Sequence, residues 1–185
     1  GGNGDDRVKS ICVGEDGSIY FTGYFEETID FSNKKEKNAI KTSAGSSDMY
    51  ITKLSSDGLF CWSRKFGGSG VDIGNFCIVS KSKIYVTGYF YKEVNFAAEW
   101  NKSDIKKSSG TSDSFVIVID HKGNYVQTYK ISSTDYCFAW GMCADKAQKI
   151  YITGEFHGLI TSDTGNNTLQ TTSKGIIDVF IIKIE

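Results

Sequence analysis

The residues of this chain that could do covalent, metal or acid–base chemistry are five cysteines, two histidines and a set of recurring aspartates. Cys12, Cys77 and Cys143 recur at near-constant spacing, with Cys61 and Cys137 outside that series. A zinc site wants close pairs such as Cys-x-x-Cys with histidine partners, which the nearest pair, Cys137 and Cys143, lacks. A free cysteine otherwise packs as a small buried hydrophobe, and that is the expectation for Cys12, Cys77 and Cys143, with no metal and no cofactor. His121 stands in a turn and His157 just after an apolar run; neither belongs to a nucleophile–base motif, so no catalytic residue and no enzyme are expected. Asp48, Asp113 and Asp178 recur in register, each at the entrance of an apolar run. A carboxylate so placed accepts backbone N–H bonds from the adjacent turn, a structural role preferred here over calcium binding or catalysis. Asp5, Asp6 and Asp72 can cap turns in the same way, and no Asp-x-Asp-x-Asp-Gly calcium loop is present. Asn101-Lys102-Ser103 and Asn166-Asn167-Thr168 are acceptor triplets for glycans at Asn101 and Asn166. Trp100, beside the first triplet, could stack on a ligand or anchor its own loop.

The elements that must position these residues are strands. The chain has no proline and 20 glycines, so turns must be made with Gly, Asp, Asn and Ser. Asp16-Gly17, Asp57-Gly58 and Lys122-Gly123-Asn124 each separate two short runs rich in Ile, Val, Tyr, Phe and Thr, the signature of tight hairpins. No long amphipathic helical pattern interrupts them, and the fold class is all-β. The longest purely apolar runs, such as 115–119 and 179–182, are strand-sized, so no membrane span is expected. A formal net charge of -1, with lysine balanced by carboxylates, leaves no basic surface to displace counterions from a nucleic acid.

An internal repeat organises the whole chain. Ile19-Tyr20-Phe21-Thr22-Gly23-Tyr24-Phe25 aligns with 84–90 and with 150–156, which places Gly23, Gly88 and Gly154 at one position. Upstream, the same spacing sets Ile11-Cys12-Val13 over Phe76-Cys77-Ile78 and Met142-Cys143-Ala144; downstream it aligns the aspartate-led runs at Asp48, Asp113 and Asp178. A full unit is about 65 residues and holds four strand-like runs, giving units at 1–66, 67–131 and 132–185, the last lacking its fourth run. Apolar side chains fall on both faces of the second run, Ile19 and Phe21 on one and Tyr20 and Tyr24 on the other, so both faces must be covered. Tandem four-stranded antiparallel blades of a β-propeller meet that demand. A β-trefoil does so less well, because its units are shorter, nearer 40 residues in general, and need no long insertion between the second and third runs.

The glycine-rich turns Gly67-Gly68-Ser69-Gly70-Val71-Asp72 and Gly1-Gly2-Asn3-Gly4-Asp5-Asp6, the Ile-Tyr-x-Thr-Gly-Tyr-Phe run and the Ser-Asp pairs at 47–48 and 112–113 resemble the SBBP-type, NHL-like β-propeller repeats. The likeness covers the whole chain, but the third unit departs from it, with Ser132-Ser133-Thr134-Asp135 in place of the glycine turn and Glu155 in place of the tyrosine. The resemblance implies a repeat fold of secreted or surface proteins, and it carries no activity.

Three blades are fewer than the four to eight that close a propeller, so the outer faces of the first and last units should be bare and apolar. Their expected partners are further blades of the same longer chain or other copies of itself, with glycans or surface proteins as outside partners. The reading is a structural or adhesive extracellular module, with a carbohydrate-binding lectin as the alternative. The loops 32–44, 97–110 and 158–174 carry whatever specificity exists.

Overall fold

The computed structural model describes every residue except 33, 35, 164–167 and 185 and, at 37, 168 and 169, describes the backbone only. The first third of the chain forms β1 (Arg7–Val13), β2 (Ile19–Phe25), β3 (Thr28–Asp30), β4 (Ile40–Thr42), β5 (Asp48–Leu54) and β6 (Phe60–Phe66). β1, β2, β5 and β6 pair antiparallel in that order as a four-stranded meander, and β3 and β4 form a hairpin thrown out between β2 and β5. β7 (Asp72–Ser80), β8 (Lys83–Asn95), β9 (Ile105–Asp120) and β10 (Tyr125–Ser133) repeat the meander. Here the insertion is a continuation of β8 and β9, whose far ends still pair at Glu93 with Lys107 and Asn95 with Ile105. β11 (Tyr136–Ala144), β12 (Ile150–His157) and β15 (Asp178–Ile184) form a third meander of three strands, with the hairpin of β13 (Leu159–Asp163) and β14 (Thr168–Thr172) as its insertion.

The fold is all-β, with antiparallel sheets that curl. The meanders are joined at their corners by short parallel contacts at the same repeat position, Ser47 with Val71 and Ser112 with Tyr136. β13 also pairs with β10, which merges the second and third meanders into one curled sheet.

Both faces of the middle meander are buried, as the two-sided apolar pattern requires. One face gives Ile84, Val86, Phe90, Phe115, Ile117 and Ile119 to a core shared with Tyr20, Met49, Ile51 and Phe66 of the first meander. The other gives Val116 and Ile131, with Phe76, Ile78 and Tyr85, to a core shared with Ile150, Ile152, Phe156, Phe180, Ile182 and Ile184 of the third. Adjacent side chains such as Val116 and Ile117 therefore serve different cores, the alternation a strand imposes.

The register of the first strands departs from the sequence alignment. Cys12 stands opposite Tyr20 and Cys143 opposite Tyr151, but Cys77 stands opposite Val86, and it is Ile78 that faces Tyr85. The cause is a shorter hairpin. Residues 14–18 separate Val13 from Ile19, and 145–149 separate Ala144 from Ile150, whereas Val79 pairs with Ile84 and Ser80 with Lys83 across a two-residue turn. That turn places Lys81 and Ser82 at φ 48° and 58°, the left-handed pair that suits the twist of a hairpin. A shift of one residue moves a side chain to the opposite face of its strand. Cys77 thus occupies the register position of Ile11 and Met142, not that of Cys12 and Cys143.

Candidate functional site

Asp48 and Asp178 open the third strands of their meanders, Asp113 holds the equivalent register position within β9, and Asp48 and Asp113 sit at the corners where meanders meet. Asp48 is fully buried; its carboxylate accepts the Ala44 N–H at 3.1 Å and pairs with Lys65 at 2.7 Å. Asp113, also fully buried, accepts the Ser109 N–H at 2.9 Å and the Ser133 N–H at 2.8 Å and pairs with Lys130 at 3.0 Å. Asp178 accepts the Lys174 N–H at 2.6 Å. In each case the donor lies four residues upstream, so the carboxylate closes the turn that feeds its strand. Asp72 and Asp6 use the same geometry on Gly68 and Gly2. Burial raises the Asp72 carboxyl to about 7, the Gly68 N–H opposes that shift, and the charge of Asp48 adds to it. One Asp72 oxygen has no hydrogen-bond partner among the described residues.

Gly23, Gly88 and Gly154 share one function. A Cβ at each would overlap a carbonyl of the neighbouring first strand, that of Arg7, Ile73 or Phe138. Beside each of these contacts the first strand carries an extra residue: Lys9, Asn75 and Trp140 fall in the register shifts of β1, β7 and β11. Such bulges re-aim a side chain. Trp140 is 46% exposed and joins a row of rings, with Tyr89 at 6.0 Å and Phe138 at 5.8 Å between centroids, and Tyr136 stacked on Phe138 at 5.3 Å. The sequence reading missed this row. In the sequence Trp140 stands three residues before Cys143, a spacing that by itself marks no exposed ring.

The cysteines do not gather. Cys61 and Cys143 are exposed, and Cys137 is buried in the core between the second and third meanders, where burial pushes its thiol to about 12. Cys12 and Cys77 do meet: their sulfurs lie 3.4 Å apart across the first junction, with Cys12 as donor. That bond and Ser10 hold the Cys77 thiol below its ordinary range, while Cys12, which keeps the proton, is raised. Among the described residues no group of three or more His, Cys, Asp or Glu side chains is arranged to hold a metal ion. No helix among them is long and apolar enough to cross a membrane.

His157 pairs with Asp135 at 2.6 Å and stacks on Tyr136. A carboxylate-held imidazole supplies two of the three members of a nucleophilic triad, but no hydroxyl or thiol bonds to this ring among the described residues. His121 lines an open cleft of about 260 Å³ with Val13, Tyr20 and Ser80.

Trp100 is an anchor. Its ring packs against Phe66 at 5.8 Å and Tyr125 at 5.6 Å, the Arg64 guanidinium lies 5.6 Å above it, and its indole N–H donates to the Gly123 carbonyl at 3.1 Å. The ring is half-buried against these partners. Asn101 is exposed, in left-handed conformation at φ 54° just after the short 3-10 turn Ala98–Trp100, and stands clear of the sheet. Asn166 lies outside the described residues.

Exposed apolar side chains gather on both end meanders. Val179 is 79% and Ile181 72% exposed on β15, yet the equivalent pairs, Met49 with Ile51 and Ser114 with Val116, are fully buried in the two junctions. On β1, Ile11 is 66% exposed, whereas its register equivalents Cys77 and Met142 are buried. Val8 and Val13 extend this patch, and Phe21, Ile29, Phe31 and Tyr50 line a cleft of about 280 Å³ beside it.

No protein-family model matches this chain, and neither does any curated protein.

Proposed function

We propose that the three meanders are blades of a β-propeller, of the SBBP type their motifs resemble, and that the chain is a non-catalytic module of an extracellular or cell-surface protein acting through protein–protein assembly. The observation that carries this reading is the exposure of Val179 and Ile181 at positions whose equivalents are fully buried in both junctions. A face with that pattern is complementary to the kind of face the middle meander presents through Val86, Phe90 and Ile117. Contiguous exposed apolar surface marks an interaction site. The partner is a further blade of the same pattern, from the same longer protein or from another copy; a head-to-tail contact between copies closes a ring or extends a filament.

Light scattering on the 185-residue chain at micromolar concentration tests it. Dimers or larger assemblies that revert to monomer in a Val179→Lys, Ile181→Lys double variant are expected. A stable monomer unaffected by that change would overturn the assembly reading.

The cluster formed by Tyr89, Phe138 and the exposed Trp140 favours a second reading, a carbohydrate-binding propeller, because an exposed aromatic ring held edge-to-face and tilted against its neighbours offers an apolar face to a sugar ring. Titration calorimetry with neutral oligosaccharides, repeated on Trp140→Ala, decides it: heat that vanishes in the variant supports a lectin, and no heat with either chain excludes one.

A further inference from the structure

We propose that Cys12 and Cys77 are a redox-closable staple between the first and second meanders, joined as a disulfide when a small-molecule disulfide such as glutathione disulfide reaches the folded chain. Their sulfurs are 3.4 Å apart, and a disulfide bond needs about 2.05 Å, a difference a modest rotation of each side chain can cover. The strands that carry them are already fastened at this point, since the Cys77 N–H donates to Ser10 Oγ at 3.2 Å. The pairing depends on the shortened turn at Lys81 and Ser82. In the register of the other two hairpins the cysteine would point to the third meander; the missing turn residue points it to the first.

The second junction has no such pair, because the positions that correspond to Cys12 and Cys77 hold Ile78 and Met142, an apolar contact. Cys143 shares the register of Cys12 but lies exposed on the open side of the third meander, and Cys137 is enclosed in the other core. The staple is therefore specific to one junction. It stands on that junction alone and does not depend on the assembly reading.

The exchange balances as two thiol–disulfide steps. The pair ionises at Cys77, and transfer of the Cys12 proton across their contact leaves Cys12, the more exposed of the two, as the thiolate that attacks one sulfur of glutathione disulfide and expels one glutathione thiolate, which takes up the proton the pair released. Cys77 then displaces the second glutathione from Cys12, and its proton leaves with that glutathione. The two protein thiols are oxidised by two electrons, and one glutathione disulfide is reduced to two glutathiones.

The bond would enclose a segment of 65 residues, a long loop whose closure restricts the unfolded chain. The test uses the full chain with Cys61→Ser and Cys143→Ser, which removes the exposed thiols that would cross-link copies. The folded protein is incubated with glutathione disulfide, alkylated in denaturant, digested and mapped by mass spectrometry. The expected result is a linked pair of peptides containing Cys12 and Cys77, one alkylated thiol at Cys137, and a rise in the unfolding midpoint on the order of 10 °C that dithiothreitol reverses. Cys12→Ser in the same background should keep the circular dichroism of the reduced parent and lose both the linked peptides and the midpoint rise. Cys12 and Cys77 both alkylated after oxidation, both left as glutathione adducts, or an unchanged midpoint rise in Cys12→Ser would each overturn the staple.

Discussion

At the junction of the first and second meanders, Phe90 and Phe115 project from the second meander into the shared core; at the junction of the second and third, Phe156 and Phe180 do so from the equivalent positions, and all four are buried. The corner ion pairs are copied too, Asp48 with Lys65 in one and Asp113 with Lys130 in the other. What is not copied lies beside them. The first junction adds the Asp72 carboxyl and the Cys12–Cys77 contact, whereas the second meets Asp113 with the backbone N–H of Ser133. The difference teaches that the apolar contacts and the corner ion pair of a junction form a repeated template, while the remaining polar contacts are written separately for each. Dispersion and hydrophobic burial are non-directional and tolerate translation from one meander to the next; a hydrogen bond or thiol contact depends on a particular turn.

If the template is shared, breaking it should cost the same on both sides. Phe90→Ala and Phe156→Ala should each destabilise the chain by about 4 kcal/mol, measured by urea unfolding. A much smaller loss for one of them would show that the junctions are not equivalent in packing.

The polar difference predicts a pH effect confined to the first junction. The Asp72 carboxyl titrates near 7 in the fold against 3.8 as the unperturbed value, so between these pH values the folded chain holds a proton that the unfolded chain has lost. The stability this proton contributes is complete below pH 4 and disappears as pH rises through 7. Asp72→Asn should therefore match the parent near pH 4 and exceed it at pH 8 by on the order of 2 kcal/mol, read from thermal midpoints across that range. A constant difference between the two across pH would contradict the raised titration.

The smallest effect belongs at the free face. Ile181→Ala, at a position 72% exposed, should change the stability of the monomer by no more than about 0.5 kcal/mol, while the same truncation at its buried equivalent, Ile51→Ala, should cost about 3 kcal/mol. An equal loss at the two positions would mean that β15 is covered in the isolated chain.

Much of this was legible in the residues. The Ile-Tyr-x-Thr-Gly run marked β2, β8 and β12, because alternating β-branched and aromatic residues specify a strand with both faces buried. Asp48, Asp113 and Asp178 were assigned to turns at strand entrances, where each accepts an N–H from four residues upstream. The bare faces of the end units could be anticipated by counting runs. The residue types around Trp100 leave a stacking surface and a loop anchor both open, and only the fold shows its contacts with Phe66, Arg64 and Tyr125. The exposed row at Trp140 was not legible, because a bulge is a property of the pairing of two strands and leaves no reliable mark in either one.

By itself the sequence determined the strands, their turns and the two-sided apolar pattern, since these follow from side-chain shape and a period of two residues along the chain. The tertiary structure alone decided which face each side chain took. Cys12, Cys77 and Cys143 are matched in spacing, but one residue fewer in the hairpin at Lys81 and Ser82 turns Cys77 toward Cys12 and leaves Cys143 facing outward. Facing is set by the pairing of neighbouring strands, and a spacing along the chain does not encode it.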